Sequence, residues 1–243
     1  MGNDIPERFE KEIEELACAA RRLGDLGYVS SHGGNISFRV ADDVVLITPT
    51  KLPKQHLCAG DVCAVDMGGN TLYAPEGRKP TGETPMHLGL FYRRPDADAL
   101  LHAHPPVLTG FACSPKADLA ARPVLPEPCI ELGPVAVVDY AEPLTEDLAR
   151  AFEPHVERHD VFLMRNHGVM LISREGPARA LDFLVMLEKQ AISILVAELL
   201  GGVRELTRSD VEALDRTLKT RELPFPGAPG AIASLADLFF PGQ

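Results

Sequence analysis

Apolar residues near the start of the chain recur at helical spacing. Phe9, Ile13, Leu16, Ala17, Ala20 and Leu23 fall on one face between residues 5 and 26, with Glu and Arg opposite and Gly27 as the stop. The period then shortens to two. Ile36, Phe38 and Val40 alternate with polar residues and predict a strand. Val44 to Ile47 predicts its hairpin partner across a turn at Asp42-Asp43. A further strand at 62–66 leads through Gly68-Gly69-Asn70 to a short return at Thr71–Tyr73. Helical spacing resumes from about Thr84 to Arg94, with Met86, Leu90 and Phe91 as the apolar positions. Ala99-Leu100-Leu101 then predicts a strand that runs into a His-x-His pair.

Beyond the pair, Val107 to Ala112 reads as a short helix, and 114–128 as a Pro-rich loop with some local structure. Val135 to Val138 predicts a strand, and Thr145 caps a helix reaching about Phe152. Val161–Met164 and Val169–Ile172 are apolar runs flanking Asn166-His167-Gly168, either paired strands or one kinked strand. Pro177 to Leu200 is a long helix, apolar almost all the way round and closed by Gly201-Gly202. Such a helix is buried on more than one side, and a second subunit is one way to cover it. Ser209 to Arg221 is a last amphipathic helix with Thr207 or Ser209 as cap. The tail carries Leu238, Phe239 and Phe240 and is too apolar to flap freely, so it is expected to dock. Strands come in early consecutive hairpins and helices cluster at the ends. This favours one domain over residues 1–243, a three-layer α/β/α architecture with a mainly antiparallel central sheet.

Composition narrows the class. A chain of 243 residues with 45% hydrophobic and 24% charged residues can bury a real core. A net charge of −11 argues against nucleic acid or an anionic membrane as partner. It leaves room for a small anion at a locally basic site. Five cysteines, an odd number with no CxxC pair, read as free thiols in a reducing cytosol. The N-terminal stretch is too acidic and amphipathic for a signal peptide, and no run of 18 apolar residues is present, so a cytoplasmic protein is expected.

The chemistry concentrates between Thr81 and Pro106. His102 and His104 lie two apart at a strand end, so both rings share a face, and Pro105-Pro106 stops the strand there. His167 follows another apolar run. Imidazole is the commonest neutral ligand for zinc and similar ions. A lone histidine is usually an ordinary core or surface residue, and His32, His56, His87, His155 and His159 are read so. Three histidines after strands, with Glu83 upstream at a helix start, point instead to a metal site. Glu83 could complement the helix dipole, ligate the metal, or act as a base. His87, four residues on, shares its face and can support it. Gly33-Gly34 with Asn35 could be a plain hairpin entry or a nest of N–H groups suited to phosphate. Asn35, Thr48, Thr50, Lys51 and Thr81 fall in loops at strand ends or beside the Thr81–Pro106 stretch. The GxGxxG, Walker and GxSxG patterns are absent.

Together GGNIS at 33–37, ITPT at 47–50, TGETPMHLGLFYRRPDADALLHAHPP at 81–106 and NHGVM at 166–170 resemble the class II aldolase/adducin family. The pieces occur in the family's order and span about two thirds of the chain. The resemblance implies an α/β/α fold and a C4 homotetramer. It implies a zinc ion, with manganese or cobalt able to fit, held by His102, His104 and His167. Glu83 is then the fourth ligand at rest and the acid/base in turnover. It implies a sugar phosphate as substrate, held by Gly34, Asn35, Thr50, Lys51, Thr81 and Gly82. The implied reaction is reversible cleavage of a ketose 1-phosphate to dihydroxyacetone phosphate and an aldehyde. A 4-epimerase, dehydratase or decarboxylase on the same site is the alternative. A non-catalytic adducin-like domain would be expected to lack the ligands retained here. Three positions depart from the pattern. Lys51 stands where Gly is usual. Gly82 stands where many members have a hydroxyl residue. No tyrosine follows Tyr140 to act as proton donor, which leaves Glu127 as a substitute.

Overall fold

Consecutive hairpins in the sequence become a meander at one side of the sheet. The computed structural model describes residues 4–242. Among these, the strands are β1 (Asn35–Ala41), β2 (Val44–Ile47), β3 (Cys63–Val65), β4 (Thr71–Tyr73), β5 (Ala99–Ala103), β6 (Ala136–Val138), β7 (Val161–Met164) and β8 (Gly168–Ser173). They form one eight-stranded sheet in the order β4-β3-β2-β1-β5-β8-β7-β6. Every pair is antiparallel except β6 and β7. A parallel pair needs a crossover rather than a hairpin, and the segment from Asp139 to Asp160 provides it. The two runs around Asn166-His167 are thus paired strands.

The helices are α1 (Ile5–Arg8), α2 (Glu10–Asp25), α3 (Thr84–Arg93), α4 (Pro106–Ala112), α5 (Pro126–Leu132), α6 (Glu146–Arg150), α7 (Gly176–Leu199), α8 (Arg208–Thr220) and α9 (Leu235–Phe239). Alternation along the strands splits the core into two layers. Ile36, Leu101 and Leu171 pack with Leu16 and Leu23 of α2 and Leu184 and Leu187 of α7. Leu100, Met170 and Ile172 face the other way, onto Met86, Leu90 and Phe91 of α3 and Leu148 of α6. This is the expected α/β/α sandwich. It also assigns His102, in step with Leu100, to the α3 side.

Two elements differ from the sequence pattern. The helix expected over 5–26 breaks at Phe9, where φ is −123° and ψ 34°, while the Phe9 side chain stays buried. The Pro-rich loop expected to reach 128 ends earlier, because Pro126 and Pro128 lie in the first turn of α5, where a missing N–H costs nothing.

The tail docks as its composition predicts. Leu235 and Ala236 bury against Val211 and Leu218 of α8. Asp215, itself buried, accepts hydrogen bonds from Leu235 N (2.6 Å), Ala236 N (3.3 Å) and Ser234 Oγ (2.8 Å). Asp215→Ala removes all three. It is expected to destabilise the protein by about 1.5–3 kcal/mol, the range for hydrogen bonds to a charged group. Urea unfolding measures this, and an unchanged midpoint would detach the tail from the stability of the domain.

Candidate metal centre

The centre of the sheet brings the histidines together. His102 is the last residue but one of β5, directly opposite Asn35 on β1 and Met170 on β8. His104 lies one residue past the strand, where its N–H donates to Tyr28 O at 2.8 Å. The chain beyond is pinned from α7: the Glu188 carboxylate accepts from Val107 N (2.8 Å) and Leu108 N (2.9 Å) at the start of α4. His167 sits in the β7–β8 turn, between Asn166, whose φ is +53°, and Gly168. A Cβ at Gly168 would collide with Ala103 O and the His104 ring, so glycine is needed for the two turns to approach. Glu83 occupies the residue before α3 and is 8% exposed.

The ligand atoms converge. His102 Nδ1–H donates to Val169 O at 2.9 Å, which leaves the Nε2 lone pair free to face its neighbours. His102 Nε2 and His104 Nε2 face each other at 3.1 Å. Glu83 Oε2 lies 3.6 Å from His102 Nε2, and Oε1 3.5 Å from His167 Nε2. Ligand atoms of the three histidines lie within 4.8 Å of one another. A tetrahedral site with metal–ligand distances of about 2.0–2.1 Å has edges of about 3.3–3.4 Å. The observed spacings bracket those edges, so the donor set fits a divalent ion of zinc type. Burial pushes His102 well below the ordinary histidine value, and His104 and His167 push it further. Burial also lowers His104 and His167, against the pull of Glu83. All three are therefore neutral near pH 7, the form that ligates metal.

A buried chain of hydrogen bonds orients Glu83. Asn35 Nδ2 donates to Glu83 Oε2 at 2.7 Å. Asn35 Oδ1 is bonded to His87 Nε2, and His87 Nδ1 lies 2.6 Å from Ser37 Oγ. Burial pushes His87 down to about 3, so the ring is neutral and carries one proton. Only one set of directions is consistent: Ser37 O–H donates to Nδ1, and Nε2–H donates to Asn35 Oδ1. The Asn35 amide is thereby fixed with its NH2 toward Glu83. The i,i+4 spacing to Glu83 signals His87, but Ser37 enters only through the β1 register. His87→Leu leaves Asn35 Oδ1 and Ser37 Oγ unpaired. It is expected to cost about 1–3 kcal/mol for each and to lower turnover with the metal retained. Urea unfolding, metal analysis and kcat check this. Unchanged stability and kcat would remove His87 from the network.

The loop residues divide into two groups. Gly34 has φ +66°, and a Cβ there would collide with Val29 and His102 O. Residues 48–50 run beside 79–81: Thr50 N donates to Lys79 O (2.9 Å) and Thr81 N to Thr48 O (3.1 Å). Asn35 and Thr81 are buried and linked to Glu83, with Thr81 Oγ1 3.4 Å from both Asn35 Nδ2 and Glu83 N. Thr48 is buried, and its Oγ1 accepts from Ile36 N. Thr50 and Lys51 are exposed. Lys51 has φ +58°, the left-handed region that suits glycine, so the departure at 51 keeps the glycine-type backbone. At Gly82 a Cβ would sit 2.9 Å from Leu144 Cδ2. Leu144, exposed and at φ +68°, takes the space a larger residue at 82 would need. The histidine cluster does not include Glu127. That residue opens α5 and lines a groove with Asp182, Met186 and Lys189 of α7.

A sheet covered on both faces, with three imidazoles and a carboxylate meeting at the mouth of β5, defines an α/β protein with a residue cluster of metal-ligating type at its centre. Residues 14–194 match the family described as Class II Aldolase and Adducin N-terminal domain, and the chain belongs to this family, whose aldolases depend on a divalent metal. The chain is 31% identical to the 3-oxo-tetronate 4-phosphate decarboxylase of Haemophilus influenzae over 164 residues, 67% of this chain and 76% of that one. It is 30% identical to the L-fuculose phosphate aldolase of Methanococcus maripaludis over 164 residues, 68% of this chain and 86% of that one. Among solved structures, YgbL of Klebsiella pneumoniae matches with a TM-score of 0.76 at 28% identity. That match covers 84% of this chain and 98% of YgbL.

Proposed function

We propose that this chain is a zinc-dependent lyase that breaks a carbon–carbon bond in a phosphorylated ketone. Its reaction is reversible cleavage of a ketose 1-phosphate to dihydroxyacetone phosphate and an aldehyde. The observation that carries this reading is the convergence of the ligand atoms of His102, His104, His167 and Glu83, with Glu83 held by Asn35. A divalent ion held by these four residues supplies Lewis acidity toward the substrate carbonyl and the negative charge that builds beside it. As the aldehyde forms its hydroxyl proton passes to solvent, and Glu83, protonated from solvent, gives a proton to the carbon left by the broken bond and takes it in the reverse direction. Asn35 keeps the carboxylate aimed while it is protonated and deprotonated. Thr50, Lys51, Thr81 and the backbone at Gly34 and Gly82 receive the phosphate, and no lysine Schiff base is used.

The relative from Haemophilus influenzae favours a second reading. Loss of CO2 from a 3-oxo-tetronate 4-phosphate leaves the same enediolate as aldol cleavage, so the two reactions differ only in the electrophile that departs. An epimerase would rejoin the fragments, and a dehydratase would expel a hydroxyl. We place the enzyme in the cytoplasm, on its composition and its five free thiols, and infer a C4 homotetramer. Ile192, Leu195, Val196, Leu199 and Leu200 leave the second half of α7 and its cap apolar and exposed, as a subunit contact would require.

The test is an assay for dihydroxyacetone phosphate on metal-analysed protein. Ketose 1-phosphates and a 3-oxo-tetronate 4-phosphate are offered with and without chelator. Chelator-sensitive release together with an aldehyde supports the aldolase. Release with CO2 from the acid alone moves the assignment to the decarboxylase. Stoichiometric metal with no release from any substrate overturns both.

A further inference from the structure

Lys54 is a charged residue in a polar stretch of sequence, yet it is 1% exposed. It opens a single 3-10 turn, Lys54–His56, directly after the loop that carries Thr50 and Lys51. The turn is pressed under α2 at Gly24, where a Cβ would collide with the Gln55 backbone. The Lys54 ammonium donates to His32 O at 3.3 Å and to Leu52 O at 3.2 Å. Those carbonyls belong to two different loops, one leading into Gly33-Gly34-Asn35 and the other following Thr50-Lys51. Among the described residues no carboxylate pairs with it. Burial lowers Lys54 to about 8, and the one charge that opposes this is Glu83.

A buried ammonium held by neutral carbonyls alone is costly, and Glu83 cannot neutralise it while also serving a metal. The chain as a whole repels anions, with a net charge of −11, so capture of an anionic substrate has to be local. Lys51 is exposed and screened by salt, whereas a charge beneath the loops is screened far less.

We propose that Lys54 is the anion-selecting charge of this site, tying the 32–34 and 50–52 loops together and drawing the substrate's phosphate between them. It is a positioning and specificity residue that acts through the loops. The inference rests on the reading of the substrate as a phosphorylated ketone.

Lys54→Gln keeps donors for the two carbonyls and removes the charge; Lys54→Met removes both. Binding of inorganic phosphate to the metal-loaded protein is measured by calorimetry, with metal content and thermal unfolding as controls. Lys54→Gln is expected to weaken phosphate by about tenfold or more, as loss of a charge-assisted interaction does, at unchanged metal content. Lys54→Met serves in its place if the Gln variant does not fold. Phosphate affinity within about twofold of wild type in a folded variant overturns the inference, as does a wild type that binds no phosphate. A wild type that binds phosphate, loses it with Lys54 and yet cleaves no substrate leaves the inference standing and removes the proposed reaction.

Discussion

Replacing His104 by alanine is expected to empty the metal centre and abolish turnover in the same variant. The ring is held from several sides. Its backbone N–H is fixed to Tyr28 O, and Gly33 and Gly168 lie close against the imidazole. Its Nε2 faces His102 Nε2 at 3.1 Å, among the atoms that would hold the ion. Losing even an outer partner of a metal ligand costs about 10–100-fold in affinity, and loss of the ligand itself should exceed that. The fold should survive, because His104 lies beyond the last residue of β5 and is not in its ladder. Metal analysis after dialysis against a fixed free zinc concentration gives the first reading. The second is recovery of activity: chelated wild type should regain it with zinc, and the variant should not. A variant that keeps stoichiometric metal would mean that His104 is not a ligand.

The histidine cluster was legible because each of its members follows from a local rule. Period two puts His102 and His104 on one face, prolines end the strand, and His167 follows a buried run. What orients Glu83 was not legible in the same way. Asn35 meets it because β1 pairs with β5 in the register that sets Asn35 opposite His102, a long-range choice that no spacing encodes. Ser37 joins His87 through that same register. Lys54 was hidden for a different reason: a lysine between Pro53 and Gln55 reads as surface, and only the approach of α2 at Gly24 buries it. The start of α5 was hidden by its own signal, since Pro126 and Pro128 mark a loop or a helix start equally well. The β1–β2 and β3–β4 pairings, by contrast, follow from the short turns between them, which leave these strands few other ways to pair.

Glu83→Gln separates proton transfer from metal binding, and its expected result is the reverse of His104→Ala: the ion stays and the reaction stops. The three histidines are untouched and form most of the donor set. The glutamine is nearly isosteric, and its carbonyl oxygen can still accept from Asn35 Nδ2, the bond that now ends on Glu83 Oε2. That places the new amide NH2 toward His167, where Glu83 Oε1 now lies 3.5 Å from Nε2. An amide cannot take a proton from carbon, so the loss should be about 10²–10⁴-fold, the usual contribution of a positioned acid–base group. Turnover alone would not prove the cause, because a displaced ion also lowers it. Exchange isolates the step. Incubated in deuterated water with dihydroxyacetone phosphate and no aldehyde, the wild type should wash deuterium into the carbon beside the ketone. The variant, shown by analysis to be metal-loaded, should not. Exchange at the wild-type rate would transfer the acid–base role to another group and leave Glu83 as a ligand alone.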